Sequence, residues 1–321
     1  MRATCNVVVV ILTKDESVHI ARAIGSVRQI RLDIDVVVVD SGSTDGTVEI
    51  AKGLGARVLH RQFDSHARQF NWALSELASA EADWIMRLDA DEVISTSLAD
   101  EISRELPHLP EDVSAIYLNR RHIFWRTWIR HGGRWPLWLC RVWRPGSAHV
   151  EDRLMDEHVI VDVGRSIRFE GSFDDVNLKP FSDFVRKHNS YSDREAVDAL
   201  SVWLGSRTIA RNESEKLGRQ ARVKRLLKLH LYQRLPLFTG PFVYYTLRMC
   251  AQGGILDGRA GVVYHFMQGL WYRLLVDVKS RELRTLIKDL ANREHIVQVV
   301  ADYSNLDAAL VAEILFPAAR A

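Results

Sequence analysis

Arg87-Leu88-Asp89-Ala90-Asp91-Glu92 places two carboxylates at positions i and i+2 directly after the apolar run Trp84 to Leu88. Residues spaced by two at a strand end share a face, so Asp89 and Asp91 can turn toward one ion. Mg2+ or Mn2+ suits that pair, because hard divalent cations take oxygen ligands and keep positions open for substrate phosphates. Such an ion would neutralise a leaving diphosphate. The same acids could instead form a solvated turn capping a helix near Ser97, but their place as the last of three acids behind apolar runs (Asp15, Asp40, Asp89) favours the ion. A second constellation, Asp40-Ser41-Gly42-Ser43-Thr44-Asp45-Gly46-Thr47, is a loop of small and hydroxyl residues leading into a helix N-terminus. Backbone amides there, with Asp40 and Ser41, can approach a ribose or base, and the helix end favours anions. The other reading is a plain strand-to-helix connection with Ser or Asp as N-cap. It is not a P-loop, since the closing Gly-Lys-Ser/Thr is absent.

Alternating strands and helices must position these residues. Val7 to Leu12, Val36 to Val39, Arg57 to Leu59 and Trp84 to Leu88 read as strands, and Val18 to Ile30, the segment opened by Gly46-Thr47, and Ser65 to Ala78 as helices between them. That pattern predicts an α/β domain with a parallel sheet, whose ligands gather at the strands' carboxyl ends beside the point where strand order reverses. From Ser114 the segments become mixed and aromatic-rich (Ala115 to Asn119, Trp138 to Trp143, His158 to Val163), as an acceptor-binding half would. After Pro180 the chain turns helical. The expected division is a catalytic domain over 1–200, made of a nucleotide half (1–112) and an acceptor half (113–200), followed by a helical extension over 201–321.

Three stretches at these mutual spacings resemble family 2 glycosyltransferases of the GT-A fold: Val9 to Glu16, Val38-Val39-Asp40 to Thr47, and Arg87 to Glu92. More narrowly, His66 to Leu74, Met155-Asp156-Glu157-His158 and Lys187 to Ala196 are similar to bacterial members that build lipopolysaccharide cores and exopolysaccharides. The resemblance implies a Rossmann-like mixed sheet and a nucleotide pocket lined by Thr13, Asp15 and Glu16, with Asp40 on the base or ribose. Ser41, Arg68 and Arg87 join that nucleotide-binding set, Asp89 lies between nucleotide and metal, and Asp91 takes the metal. It also implies a catalytic base in the 155–158 stretch, Glu157 in preference to Asp156; without the family, those acids read as a surface turn. General-base help of this kind contributes roughly 10² to 10⁴ in rate. Many family members place a His after the base, but Phe169 to Asn177 contains none, so Asp174, Asp175 or His188 is left to complete the shell. Arg68 and Asn71, at i and i+3, either face the diphosphate or cap the sheet.

Composition excludes several classes. With 47% hydrophobic and 26% charged residues the chain has a globular rather than a disordered profile, and a net charge of +2 offers no global field for nucleic acid. Cys5, Cys140 and Cys250 are too few and too scattered for a disulfide framework or a zinc site, which suits a reducing cytoplasm. Asn6 to Leu12 is too short for a signal peptide core and reads as a buried strand. Lys216 to Arg234 gathers seven basic residues, and an aromatic stretch with Arg248, Arg259 and Arg273 follows. Over 216–273 this fits either peripheral contact with an anionic bilayer, at the inner face of the cell membrane, or a helical subdomain or dimer contact.

The expected function is inverting, metal-dependent transfer of a hexose from a nucleotide-diphosphate sugar, UDP favoured, to a lipid-linked saccharide. A sugar nucleotidyltransferase would share the acidic site but needs a Gly-rich triphosphate loop, and Thr13-Lys14-Asp15-Glu16 has no glycine. A catalytically inactive membrane scaffold of the same fold is the non-enzymatic alternative. Beyond Lys279 the sequence identifies no chemistry.

Overall fold

The computed structural model describes residues 5–78, 81–151, 157–206 and 238–317. They divide into two compact units, one ending at Leu178 and one starting at Lys179. The sequence placed this division at 200. A single helix runs from Phe181 to Trp203 directly after Pro180, whose fixed φ suits a helix start, so the second unit begins with that helix.

The first unit is built on a mixed sheet. Its strands are β1 (Asn6–Thr13), β2 (Asp33–Asp40), β3 (Arg57–His60), β4 (Trp84–Asp89), β5 (Glu92–Ile94), β6 (Val113–Phe124), β7 (Thr127–Ile129), β8 (Trp138–Trp143) and β11 (Arg165–Val176), while β9 (Ala148–Val150) and β10 (Val159–Val161) pair separately. The order is β3-β2-β1-β4-β8-β6-β11-β5, with β7 on β6. β1 to β4 are parallel, β8 runs antiparallel to both β4 and β6, and β11 is parallel to β6. The carboxyl ends of β1, β2, β4 and β6 therefore share one edge, and strand order reverses between β1 and β4.

Helices cover both faces, which is why the central strands are almost continuously apolar rather than alternating. Val7, Val9, Ile11, Val36 and Val38 pack in one core with α1 (Ile20–Val27) and α4 (Thr96–Glu105). Val8, Val10, Val37 and Val39 pack in the other with Ala67, Phe70 and Ala73 of α3 (His66–Glu76). Between β2 and β3 lies α2 (Thr47–Gly53).

The second unit is helical: α5 (Phe181–Trp203), α6 (Thr239–Thr246), α7 (Gly258–His265), α8 (Tyr272–Ile287), α9 (Arg293–Ser304) and α10 (Ala308–Leu315), with π-type turns at Leu247–Ala251 and Phe266–Trp271. α8 is tied to α5 by Arg273 to Glu195 at 2.7 Å and Lys279 to Asp193 at 2.5 Å. Residues 280–317 are folded, burying Leu283, Ile287, Ile296, Val300, Val311 and Leu315. Among the described residues no helix is long and apolar enough to cross a membrane. The basic run Lys216 to Arg234 lies outside them.

Candidate active site

Register on β1 sets the site. Thr13 is the pairing partner of Asp40 on one side and Leu12 that of Asp89 on the other. Two strand spacings of roughly 5 Å separate the acids along the edge, so residues 49 positions apart in sequence become near neighbours.

Asp40 is 1% exposed and serves its own loop. One carboxylate oxygen accepts from Thr13 Oγ1 at 3.1 Å and Ser43 Oγ at 2.5 Å, the other from the amides of Gly42 at 2.8 Å and Ser43 at 2.9 Å. Burial works against its charge, but these hydrogen bonds outweigh burial and hold the carboxyl below its ordinary value. The loop after β1 is laced to the loop after β2. The Asp15 amide donates to Ser43 Oγ at 2.8 Å, Asp15 Oδ1 accepts from the Thr44 amide at 2.8 Å, the Glu16 amide donates to Thr47 Oγ1 at 2.8 Å, and the Ser17 amide to Asp45 Oδ2 at 3.0 Å. Asp15 adopts a left-handed φ of 53°, which lets its amide and carboxylate both reach this loop. Ser41 Oγ accepts from Gln69 Nε2 at 2.7 Å. Thr13, Asp15, Glu16, Asp40 and Ser41 thus form one hydrogen-bonded cradle at the end of β1 and β2.

On the other side of β1 lies a chain of alternating charges. Asp89 Oδ1 meets Arg87 Nε at 3.3 Å and its Oδ2 meets Arg141 Nη2 at 3.2 Å. Arg87 Nη2 continues to Glu157 Oε1 at 3.5 Å, and Arg141 also pairs with Glu92, whose second oxygen accepts from the Asp89 amide at 2.9 Å. Arg87 lies over the Phe70 ring at 5.4 Å and Arg141 over Phe173 at 5.2 Å. Burial opposes ionisation of Asp89, but Arg141 and Arg87 hold it far below the usual carboxylate range. Glu92 is displaced the other way, upward, by burial and by the charge of Asp89, against the pull of Arg141. The turn does not cap α4: Ser95 does, accepting from the Leu98 amide at 3.2 Å. Asp91 sits in the tight turn between β4 and β5, where its carbonyl accepts from Val176 at 2.9 Å.

The structure therefore brings Arg87, Asp89 and Glu157 together beside the cradle, with Asp91 two residues on in the turn near Arg22; Asp156 lies outside the described residues. Arg68 is in the first turn of α3, its amide on the N-cap Ser65 Oγ at 3.1 Å. Asn71 is a fastener, donating to the Val150 carbonyl at 2.7 Å and accepting its amide at 2.9 Å. It fixes β9 just before the segment that leads to Glu157. The acids weighed as extra metal ligands have cationic partners: Asp174 meets Arg121 at 2.5 Å, and Asp175 meets His122 at 2.9 Å and Arg120 at 3.5 Å. His188 belongs to the second unit, with Nδ1 on the Phe184 carbonyl at 2.7 Å. Among the described residues no three His, Cys, Asp or Glu side chains form a metal-holding group.

Sequence reasoning missed Arg141, Gln69 and the burial of Glu92. Arg141 had a signal, a lone cation in the apolar run Trp138-Leu139-Cys140-Arg141-Val142-Trp143, since a buried arginine requires a carboxylate partner. Glu92, 1% exposed, looked like the solvated end of an acidic turn because nothing local announces the partner 49 positions away.

A family model described as glycosyl transferase family 2 matches residues 8–172, which contain the cradle and the charge chain. Over 199 residues the chain is 47% identical to an uncharacterized glycosyltransferase of Rickettsia prowazekii, covering 59% of this chain and 66% of that protein. A second, of Rickettsia typhi, is 46% identical over the same length and coverage. The chain thus spans just under two thirds of the curated relatives it matches. Among solved structures, glucosyl-3-phosphoglycerate synthase from Mycobacterium tuberculosis is 15% identical at TM-score 0.38, covering 57% of this chain and 75% of that one. S. aureus TarS is 12% identical at TM-score 0.42, covering 86% and 91%. Both are too distant in backbone for residue-level detail to carry over. With the model match extending over more than half its length, from β1 to β11, the chain belongs to glycosyl transferase family 2.

Proposed function

We propose that this protein transfers a hexose, with inversion, from a nucleotide-diphosphate sugar, UDP-linked in preference, to a lipid-linked saccharide of bacterial surface polysaccharide or lipopolysaccharide synthesis. The observation that carries the reading is the register that seats Asp40 and Asp89 on either side of the end of β1, joined through Arg87 to Glu157. The hydroxyl-rich cradle holds the nucleoside, with Asp40 shaping the loop, Ser41 and Asp15 at the nucleotide and Glu16 beside them, its carboxylate on His19 Nδ1 at 2.5 Å. Arg87 and Arg68 supply positive charge for the diphosphate, and bidentate guanidinium contacts suit that anion.

Mn2+ or Mg2+ fits the donor set. Magnesium-like ions are held by one or two carboxylates plus substrate phosphates and water, so no large protein cage is needed. Asp91 and Asp89 are assigned to the ion, with Asp91 placed first because both oxygens of Asp89 already meet arginines. When bound, the ion supplies charge stabilisation for the leaving diphosphate. Glu157 accepts the proton of the attacking acceptor hydroxyl, and Arg87, 3.5 Å away, holds that carboxylate in place.

Peripheral contact with the inner face of the cell membrane completes the proposal. It is supported by Phe242, Val243, Leu247, Ile255, Leu256 and Phe266, large apolar side chains exposed within one stretch of the second unit, and by the basic run that precedes them in sequence.

The test is donor hydrolysis and transfer with and without Mn2+, for wild type, Asp91→Ala and Glu157→Gln. We expect Asp91→Ala to lose Mn2+ stimulation and Glu157→Gln to lose about 10² to 10⁴ in transfer while still binding donor. Equal turnover in every combination rules out both assignments.

A further inference from the structure

β6 and β7 close through a two-residue turn. Phe124 pairs with Thr127, leaving Trp125 and Arg126 as the central residues, and both are left-handed, at φ 49° and 63°. That turn favours Asn-Gly or Gly-Gly, because a side chain strains positive φ. Here an exposed tryptophan and an exposed arginine occupy it, Trp125 at 57% exposure and stacked on Phe124 with ring centres 4.9 Å apart. Backbone strain of this kind persists where the side chains are used.

The hairpin stands at the catalytic edge. β6 is antiparallel to β8, which is antiparallel to β4, so its carboxyl end points the same way as those of Asp40 and Asp89. Its last pairing with β8 is Asn119 with Trp138, and residues 120–124 continue beyond it against β11 and β7. Asp175 on β11 lies opposite both His122 and Glu92, and Glu92 is the carboxylate that pairs with Arg141.

Its charge is one-sided. From Val113 to Val150 the chain has no Asp or Glu but seven arginines. Asp174 and Asp175 match Arg121 and Arg120, and Asp89 with Glu92 matches Arg141. At the tip stands Arg126, and Arg130 just past β7 lies 4.6 Å from the centre of the Trp128 ring. Aromatic faces suit sugar rings, and guanidinium groups suit phosphate or carboxylate.

We propose that the β6–β7 hairpin recognises the acceptor and that the acceptor is anionic, a saccharide bearing a phosphate or carboxylate, with Trp125 against the sugar ring and Arg126 on the anion. This rests on the transfer reading above, whose acceptor it specifies. The test uses the full chain saturated with UDP and Mn2+ and three calorimetric probes: octyl glucoside, its 6-phosphate and octyl glucuronide. The charged probes are expected to bind at least about tenfold tighter than the neutral one, and the stronger of the two identifies phosphate or carboxylate. Arg126→Gly removes the preference while raising Tm, since glycine relieves the left-handed turn; Trp125→Ala weakens all three probes. UDP binding stays as in wild type. Three equal affinities, a preference that survives Arg126→Gly, or no binding of any probe overturns the proposal. So does loss of anionic-vesicle binding in Trp125→Ala with saccharide binding intact, which makes the hairpin a membrane anchor. A chain that binds no UDP yet prefers the charged probes leaves the hairpin assignment standing and removes the transfer reading.

Discussion

Asp89 and Glu92 are three residues apart, and both carboxylates turn to the guanidinium of Arg141, which is 5% exposed. Removing one partner of a buried pair leaves uncompensated charge, so Arg141→Met is expected to cost about 3 to 5 kcal/mol in urea unfolding at neutral pH. Glu92 already titrates above its ordinary value, and losing Arg141 raises it further. Protonation relieves the buried charge, so the share of the deficit owed to Glu92 should shrink as pH falls toward about 8 and be absent below it; a deficit unchanged on either side of that value would place the loss in Asp89 and packing. Asp40 behaves oppositely. Its folded pKa is depressed, so its contribution is present above the unfolded carboxylate value near 4 and fades as pH falls through and below it. Asp40→Asn, which cannot accept all four hydrogen bonds, should lower stability by about 1 to 3 kcal/mol at pH 7 and by much less at pH 3, measured by thermal unfolding at both.

At the scale of elements, the acidic edge depends on how closely α4 lies on β11. Gly171 sits where the register of β11 against β6 shifts, and its amide and that of Glu170 donate to the Glu101 carboxylate at 2.7 and 2.9 Å. A Cβ at Gly171 would stand 2.6 Å from the Cα of Leu98. Neither backbone can yield cheaply, so Gly171→Ala should destabilise by about 1 to 3 kcal/mol. Because β11 carries β5 and hence Glu92, the same variant should also reduce transfer. Full activity with a lowered urea midpoint would separate the packing from the site. Asn71 plays the corresponding part for β9, with both ends of its amide on the backbone of Val150.

At the scale of the whole molecule, the proposed chemistry belongs to the first unit and the proposed membrane contact to the second. Ile255 and Leu256 are 62% and 72% exposed, in the same stretch as the other exposed apolar side chains of the second unit. Ile255→Asp with Leu256→Asp should reduce flotation with anionic vesicles severalfold, through lost apolar insertion and added repulsion, while transfer to a detergent-dispersed acceptor stays near wild type. Unchanged flotation would remove this surface from the membrane reading.

The sequence by itself determined the parallel half of the sheet, the helices between its strands and the acids at their ends. Those signals are local: four valines in a row need cover on both faces, and Ser65 caps α3 within one turn. It also carried the motif spacing that names the family. Tertiary structure decided what each acid meets. Asp40 is occupied by its own loop, Asn71 holds a strand, Asp174 and Asp175 are matched by Arg121, Arg120 and His122, and Arg141 closes the network from 49 residues beyond Glu92. Periodicity reports which face of an element is buried, whereas the partner of a buried charge is set by strand order and register, which bring together positions no local pattern connects.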